Sequence, residues 1–280
     1  MPKLIDTLTL EQLNDIIDMY KNNISLREIE KRTSFTRRAV GKMLEELGIK
    51  TTQGNHYKKY SFNFDFFEKI NSELSAYWLG FLYADGCILA PREYGEQEFK
   101  LVLNDKDLEI LEKFKEDLQS SYPIRHDNSK INPQVIHCLR SQKAVNDLKA
   151  LGCVENKSLI LNFPNDSQVP QEFLHHFIRG YFDGDGSISS YQDNEKHRPQ
   201  YHMSFVGTEN FIKGLYNFLQ IGSVFPDQRK NNSWYLHING NRQIEKVYHI
   251  LYSNATRYMQ RKFLKFQDLL KLNESSGINV

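Results

Sequence analysis

The amino-acid sequence predicts an α+β protein in which two similar units follow a small helical domain. The segments WLGFLYADG (78–86) and IRGYFDGDG (178–186) have glycines at matching positions and end alike in an aspartate and a glycine. Their aspartates, Asp85 and Asp185, lie 100 residues apart, which is the size of a small domain. Strand-like alternation of apolar residues follows each segment, whereas the first 50 residues show only helical periodicity.

Each repeat has an aspartate just before its closing glycine, at the C-terminal end of a predicted helix, where an acidic residue is unfavourable. The last turn of a helix exposes unpaired carbonyl groups and a partial negative charge, so an aspartate there costs about 0.3–1 kcal/mol. A glycine alone ends a helix cheaply in the left-handed conformation, which is therefore expected of Gly86 and Gly186. Since Mg²⁺ (or Mn²⁺) prefers oxygen ligands, the added acids predict a metal site. Its predicted ligands are the carboxylates of Asp85 and Asp185 and the carbonyl groups of Ala84 and Gly184.

Small residues line one face of each repeat. Gly80 and Ala84 lie four residues apart, as do Gly180 and Gly184, so each pair shares a helix face. A face without large side chains lets two helices approach closely, and the two aspartates would then lie side by side. Because adjacent carboxylates repel one another unless a cation lies between them, we expect the metal site on a pseudo-twofold axis between the helices.

The paired repeats resemble the LAGLIDADG motifs of homing endonucleases, in the single-chain form with two motifs, over roughly residues 63–271. In the first motif Tyr83 replaces the usual earlier acid, whereas the second motif, DGDGSIS, follows the family closely. An EF-hand loop at Asp183–Asp185 is excluded because Ile188 stands where that loop needs glycine. The resemblance implies two pseudo-symmetric αββαββα units that form a β-saddle.

The same resemblance implies a function, which is site-specific and divalent-metal-dependent hydrolysis of double-stranded DNA. It implies a monomer, a long asymmetric target and a staggered double-strand break. A lysine borders the active site in many members of the family, and Lys157 and Lys262 begin matching segments, ENKSL and QRKFL. As catalytic residues they would stabilise developing negative charge, and the alternative is that they only bind phosphate.

Residues 1–50 are predicted to form three short helices. Thr9, Ser25 and Thr36 occupy capping positions, and Gly48 ends the third helix. The helix lengths and the basic start of the third helix resemble a helix-turn-helix domain. Its DNA-binding residues would be Arg37, Arg38 and Lys42. The alternative is a small helical bundle whose charges are merely solvated.

Residues 51–62 lack apolar periodicity and are predicted to be a linker, in which Lys58 and Lys59 either follow DNA phosphates or are simply solvated. The two repeated units are predicted at 63–168 and 169–280. Their predicted strands include Phe99–Leu103, Val135–Leu139, Tyr201–Phe205 and Trp234–Ile238. Their predicted helices include Lys106–Leu118 behind Asp105, Gln142–Leu151, Glu209–Leu219 behind Thr208, and Arg242–Tyr252.

One face of each predicted sheet is expected to pack on helices and the other to stay open for DNA. Polar and basic side chains on the open face suit contacts with base edges and phosphates, although each residue alone is equally compatible with a solvated position. In the first unit these are Lys100, Arg125, His126, Lys130, Gln134 and His137. In the second they are Ser187, Ser189, Tyr191, His202, Gln228, Arg229, Lys230, Tyr235 and His237. His137 and His237, 100 residues apart, are expected to be equivalent.

Composition neither requires nor excludes a DNA-binding protein. The formal net charge is only +1, but basic residues cluster between Lys21 and Lys42 and again between Arg257 and Lys265. Three cysteines without CxxC spacing predict neither a disulfide framework nor a zinc site. The lack of a signal peptide and of an apolar run of about 18 residues predicts a soluble intracellular protein of a bacterial or phage host, or of an organelle.

Three other functions are open at this stage. The chain is also compatible with an RNA-splicing maturase that binds intron RNA, with a DNA-binding regulator that does not cut, and with a structural α/β domain. The presence of both aspartates argues against the regulator, and the duplication of the motif argues against a structural accident. Maturase activity is compatible with DNA cleavage, so the residues do not separate these two. The expected partner is double-stranded DNA, with intron RNA as the alternative, and no membrane.

Overall fold

The computed structural model describes residues 4–22, 24–49, 60–91, 95–129, 131–192 and 198–275. The chain divides into two compact units, Met1–Ser61 and Phe62–Val280. The finer boundaries predicted at residues 50, 62 and 168 stay predictions. Three predicted DNA-binding residues, Lys58, Lys59 and Lys130, lie outside the described residues.

The N-terminal unit contains the three predicted α-helices. They are α1 (Leu10–Lys21), α2 (Leu26–Thr33) and α3 (Arg37–Glu46), preceded by a 3₁₀ turn at Leu4–Asp6. The side chains of Thr9, Ser25 and Thr36 accept hydrogen bonds from backbone N–H groups three residues ahead, which confirms the predicted caps. Apolar side chains at helical spacing, such as Ile16 and Leu44, give this unit a core of its own.

The larger unit repeats one order of elements twice. The first half contains α4 (Glu73–Asp85), β1 (Gly86–Ile88), β2 (Glu98–Asn104), α5 (Leu108–Asp117), β3 (Ile124–Asp127), β4 (Gln134–Arg140) and α6 (Gln142–Ala150). The second half contains α7 (Gln171–Asp185), β5 (Ser187–Tyr191), β6 (Gln200–Gly207), α8 (Glu209–Leu219), β7 (Ser223–Pro226), β8 (Trp234–Asn239) and α9 (Asn241–Tyr252), followed by α10 (Gln260–Glu274). Both halves follow the predicted order αββαββα. In the described part of the chain, no helix has the length and apolar character needed to cross a membrane.

Each half forms a four-stranded antiparallel sheet. The strand order is β1-β2-β4-β3 in the first sheet and β5-β6-β8-β7 in the second. Alternation along the strands buries Phe99 and Leu101 of β2, and likewise Met203 and Phe205 of β6. Helices α5 and α6 pack on the first sheet, and α8 and α9 pack on the second. The predicted α+β fold of two pseudo-symmetric units is therefore confirmed.

The helix predicted behind Asp105 begins later than expected. A 3₁₀ turn covers Asp105–Asp107, and α5 follows it from Leu108. The side chain of Asn104 accepts a hydrogen bond from the Lys106 N–H at 3.1 Å. Because Asn104 ends β2 with an extended backbone, it occupies the capping position that had been predicted for Asp105.

The predicted equivalence of His137 and His237 is wrong. His137 of β4 lies opposite Leu101 and is fully buried, whereas His237 of β8 lies opposite Ser204, which is only partly buried. The strands are offset by one residue between the two halves. Since side chains alternate along a strand, this offset moves the histidine to the opposite face of the sheet. Burial lowers the pKa of His137 to about 4, so this residue is a neutral core histidine and not a DNA ligand.

The prediction for another histidine is also wrong. His126 of β3 lies opposite Val135, whose side chain is buried, so His126 is not on the open face where it was predicted. Its Nδ1 atom instead lies 3.3 Å from Asp105 Oδ1. His176 Nδ1 lies 2.8 Å from Arg179 Nη1, which gives that histidine a structural contact.

A candidate metal-binding active site between two helices

Helices α4 and α7, which carry the two repeats, pack directly against one another. The contact requires glycine in both helices. A Cβ atom on Gly80 would lie 1.9 Å from the carbonyl oxygen of Phe177, and one on Gly180 would lie 1.9 Å from the carbonyl oxygen of Tyr77. The close approach predicted from the small residues is therefore confirmed, and backbone lies against backbone along this seam.

The seam brings the two acidic helix ends together. A Cβ atom on Gly184 would lie 2.3 Å from the Cβ of Ala84 and 3.2 Å from Oδ2 of Asp85, so the first carboxylate reaches the end of the second helix. The two aspartates are close enough that the charge of Asp185 helps to raise the pKa of Asp85.

The closing glycines do not take the left-handed conformation predicted for them. Gly86 has φ −71° and Gly186 has φ −72°, so both are extended and lead out of the helix toward a strand. A Cβ atom on Gly86 would lie 2.5 Å from the carbonyl oxygen of Leu82, and one on Gly186 would lie 2.1 Å from the ring of Phe182. Glycine is needed here because the strand leaves the helix too closely for a side chain, and not because of a positive φ.

The two carboxylates lie in a partly desolvated site beside two lysines. Burial, with a further contribution from Asp185, raises the pKa of Asp85 to about 6, while Lys262 and Lys157 oppose the rise. Burial also raises the pKa of Asp185, although this side chain keeps access to solvent. Within the described part of the chain, no group donates a hydrogen bond to either carboxylate. Two desolvated carboxylates without donors are suited to a bound cation.

Lys157 and Lys262 take equivalent positions at the ends of the two repeats. Both side chains are largely buried, and the Nζ of Lys157 donates to the carbonyl oxygen of Gly86. The Nζ of Lys262 donates to the matching oxygen of Gly186 at 2.5 Å, and also to the last carbonyl groups of α7. Burial lowers the pKa of Lys262 to about 8, against the opposing charge of Asp183. Lys157 therefore places an ammonium group at the end of α4, and Lys262 places one at the end of α7. The unpaired carbonyl groups at these helix ends need hydrogen-bond donors.

The donor set fits a divalent cation such as Mg²⁺. Two carboxylates meet at the helix ends, and no group of three or more His, Cys, Asp or Glu side chains suited to a metal occurs among the described residues. Mg²⁺ accepts few protein ligands because it retains several waters. Of the two predicted carbonyl ligands, that of Gly184 already accepts a hydrogen bond from Lys262 Nζ at 3.1 Å, which leaves it one lone pair for a metal.

A buried carboxylate that the sequence did not mark supports this seam. Asp183 is fully buried and accepts hydrogen bonds from the hydroxyls of Tyr77 at 2.8 Å and Tyr252 at 2.7 Å, and from the Met259 N–H at 2.7 Å. Burial raises its pKa, while Lys262 and these donors favour the charged form. Asp183 therefore ties α4, α7, α9 and the start of α10 together, and it helps to fix the ends of α4 and α7 without facing solvent.

A second buried group that sequence reasoning missed is Arg179. Its side chain is fully buried, it pairs with Glu73 at 2.6 Å, and it donates to the carbonyl oxygens of Arg257 at 2.9 Å and Leu251 at 2.8 Å. A charged residue inside the apolar run IRGYF was the signal available in the sequence, since such a charge needs a full set of partners. In the first motif Tyr83 stands where the second motif has Asp183, and its hydroxyl donates to the Leu151 carbonyl oxygen at 2.5 Å, which gives this substitute for the usual acid a structural role.

The open face of the first sheet carries three of the predicted DNA-binding residues. Lys100 alternates with the buried Phe99 and Leu101, and Arg125 lies opposite Ile136, next to the buried His137. The third residue, Gln134, lies opposite Asn104 at the end of the same face. These positions place two cations and an amide on one side of the sheet.

The second sheet presents its predicted residues in two groups. Ser187, Ser189, Tyr191, His202, Tyr235 and His237 lie on the open face of β5, β6 and β8. Gln228, Arg229 and Lys230 lie in the hairpin between β7 and β8. On the open face, His237 Nδ1 lies 3.1 Å from His202 Nε2, so these two imidazoles form a pair. In the N-terminal unit, the predicted DNA-binding residues Arg37, Arg38 and Lys42 are exposed on α3.

Comparison with known proteins agrees with this architecture. The family described as LAGLIDADG endonuclease matches residues 178–273. A structure of a mutant of I-SmaMI is 14% identical, with a TM-score of 0.51 over 74% of this chain and 91% of that chain. The structure of the I-SmaMI LAGLIDADG homing endonuclease bound to cleaved DNA is also 14% identical, with a TM-score of 0.50 over 72% of this chain and 89% of that chain. No curated protein matches the chain by sequence.

One chain supplies both repeated units, and their helices α4 and α7 meet at the paired aspartates. The chain is therefore a two-unit protein whose candidate metal site lies on an internal pseudo-twofold axis. The family match covers the second unit, and the shared fold extends over both units. Over both units the likeness is one of fold, and residues 178–273 match the LAGLIDADG endonuclease family, which agrees with the resemblance inferred from the repeats.

Proposed function

We propose that this protein is a divalent-metal-dependent DNA endonuclease that makes a staggered double-strand break. The observation that carries the proposal is the pair of carboxylates at the ends of α4 and α7, which are partly desolvated and receive no hydrogen bond from the described residues. The family match and the likeness to a fold seen bound to cleaved DNA support the same function.

The residues of the site have separate roles in this proposal. Asp85 and Asp185 hold the metal, which when bound supplies an activated water and stabilises charge on the phosphate. Lys157 and Lys262 keep positive charge beside the reacting phosphates, because hydrogen bonds to the closing glycines hold both ammonium groups in place. Each repeat contributes one carboxylate, and each carboxylate serves the cleavage of one DNA strand. Both strands are then broken.

The open faces of the two sheets are the proposed DNA-binding surface. They carry different side chains, with Lys100 and Arg125 on the first and the His202–His237 pair on the second. Because the two faces differ, the target is expected to be asymmetric. A single chain supplies both repeats, so we propose that it acts as a monomer on double-stranded DNA.

Cleavage is tested with the purified full-length protein. We expect it to linearise a plasmid that carries the two DNA flanks of its gene joined without the gene, in the presence of Mg²⁺, and to stop when EDTA removes the metal. The measurement is the conversion of supercoiled plasmid to linear plasmid on a gel. A plasmid without the joined flanks is the control. Failure to cut both this plasmid and a library of random targets in Mg²⁺ or Mn²⁺ would contradict the proposal.

We also propose that the N-terminal helices bind DNA through α3. Replacing Arg38 and Lys42 together by alanine in the full-length protein is expected to weaken DNA binding about tenfold or more, and to reduce the slope of log affinity against log salt by about two, because two phosphate contacts are lost. Lys31→Ala is the matched control, since Lys31 is exposed on α2 but pairs with Glu28 at 3.6 Å. An unchanged salt slope in the double variant would indicate that α3 does not contact DNA.

A further inference from the structure

A cavity of about 280 Å³ lies beside Asp185. Its wall is built from both repeated units, since it includes Ser158 and Leu159 from the segment after Lys157 and also residues 230–233 of the β7–β8 hairpin. Lys230 is the cation on this wall, and Asp185 is the carboxylate. The cavity therefore joins one candidate metal ligand to a basic side chain from a distant part of the chain.

The hairpin that carries Lys230 is held in place by defined contacts. The Asn232 side-chain amide donates to the Leu159 carbonyl oxygen at 2.6 Å. This bond connects the hairpin to the segment that joins the two halves of the larger unit. The Asp227 N–H donates to the Ser233 carbonyl oxygen at 2.7 Å, and the Lys230 N–H donates to the Asp227 carbonyl oxygen at 3.2 Å. The backbone of Lys230 is thus fixed relative to Asp185, although its side chain is exposed.

Lys230 has no carboxylate partner within ion-pair distance among the described residues. The neighbouring Arg229 differs, because its guanidinium pairs with Asp227 at 3.2 Å and its side chain is 83% exposed. A free ammonium group on the wall of a cavity that also holds a carboxylate suits an anion that is bound to a cation at that carboxylate. A DNA phosphate at a metal site has this chemistry.

A second cavity of the larger unit is built differently. It has a volume of about 220 Å³ and lies between α10 and the start of α5. Leu264 lines it two residues after Lys262, just as Leu159 lines the first cavity two residues after Lys157. Its cations are Lys106, Lys113 and Arg261, of which Lys113 pairs with Glu109 at 2.6 Å and Arg261 pairs with Asp107 at 2.8 and 3.2 Å. Neither candidate metal-binding aspartate is among the described residues that line this second cavity, whereas Asp185 lines the first, so the first cavity joins a cation to a candidate metal ligand and the second does not.

We propose that Lys230 binds a phosphate of one DNA strand in the cavity beside Asp185, and that it positions only that strand for cleavage. This inference rests on the proposed endonuclease function and assigns one of the two strands to one side of the site. Lys230 would then affect the two cleavage steps unequally, whereas a residue that only adds general affinity for DNA would affect both alike.

The test uses the full-length protein and a duplex of the joined gene flanks, with each strand end-labelled in turn. We expect Lys230→Met to slow cleavage of one strand about tenfold or more relative to the other, so that nicked duplex accumulates, because a charge-assisted phosphate contact is lost. Lys230→Arg is expected to restore the ratio of the two rates, since it keeps the positive charge. Thermal unfolding of each variant checks that the fold is retained.

Arg229→Met is the matched control, because it removes the same charge from the adjacent residue of the same hairpin. It is expected to slow both strands by the same factor. Equal slowing of both strands by Lys230→Met, or no slowing, would overturn the inference while leaving the endonuclease function intact. A wild-type protein that cuts neither strand of this duplex nor a random-target library would instead overturn the proposed function.

Discussion

Replacing Asp85 or Asp185 by asparagine is expected to lower DNA cleavage by about a thousandfold or more while leaving DNA binding largely intact. An asparagine keeps the shape of the side chain but loses the negative charge that holds a divalent cation. Loss of the cation removes several kcal/mol of transition-state stabilisation, and about 1.4 kcal/mol corresponds to a tenfold change in rate. Single-turnover cleavage and a gel-shift titration measure the two properties separately.

The same substitution at Asp85 is expected to stabilise the fold. Burial raises the pKa of Asp85 from 3.8 to about 6, so the folded state binds the proton more tightly than the unfolded state does. The free energy of unfolding therefore falls as the pH rises from about 4 to 6, and the cost of the ionised carboxylate persists at pH 7. Asp85→Asn removes this cost, which is about 1–3 kcal/mol because the carboxylate keeps some contact with solvent.

Chemical denaturation in metal-free buffer at pH 7 and pH 4 tests this sign. The stability gain of Asp85→Asn is expected at pH 7 and is expected to shrink toward zero at pH 4, where wild-type Asp85 is protonated in the folded state. Asp268→Asn, an exposed carboxylate on α10, serves as the control and is expected to change neither property. At limiting Mg²⁺, the cleavage rate of the wild type should also fall as the pH drops below about 6. An Asp85→Asn variant that cuts normally would refute the site.

Replacing Gly80 or Gly180 by alanine is expected to be the most destabilising of the small substitutions in the larger unit. The added methyl group would lie 1.9 Å from a backbone carbonyl oxygen of the facing helix in either case. A backbone atom cannot move aside as a flexible side chain can, so the two helices must separate along the whole seam. We expect a loss of about 3 kcal/mol or more, at the upper end of what overpacking causes, together with loss of cleavage because the aspartates move apart.

Tryptophan fluorescence measures this transition selectively, because both tryptophans, Trp78 and Trp234, lie in the larger unit. Gly41→Ala in α3 is the control, since its Cβ would make an ordinary contact 3.6 Å from Leu26. That change is expected to leave the fluorescence transition unaltered and to favour α3 by about 0.5–1 kcal/mol through helix propensity. If Gly80→Ala unfolds at the wild-type denaturant concentration, the tight seam does not exist in solution.

The sequence alone determined the order of elements and the identity of the candidate metal ligands. These features depend on local rules, because alternation places Phe99 and Leu101 inside a sheet and the hydroxyls of Thr9, Ser25 and Thr36 start helices wherever the chain places them. The glycines of the two repeats also predicted the seam correctly, since both helices had to present a face without side chains. The doubling of the motif then indicated that two aspartates would meet.

Only the tertiary structure decided the features that depend on contacts between distant residues. The carboxylate of Asp183 accepts a hydrogen bond from the hydroxyl of Tyr77, which lies 106 positions earlier in the chain. No local sequence pattern predicts this hydrogen bond. His137 is in the core because the strands of the two halves are offset by one residue, which the spacing of 100 residues concealed. Lys230 lines the cavity beside Asp185 because a hydrogen bond from Asn232 holds the β7–β8 hairpin against Leu159, in the segment that joins the two halves of the larger unit. Side-chain direction and pairing are set by packing, and packing is not encoded by neighbours along the chain.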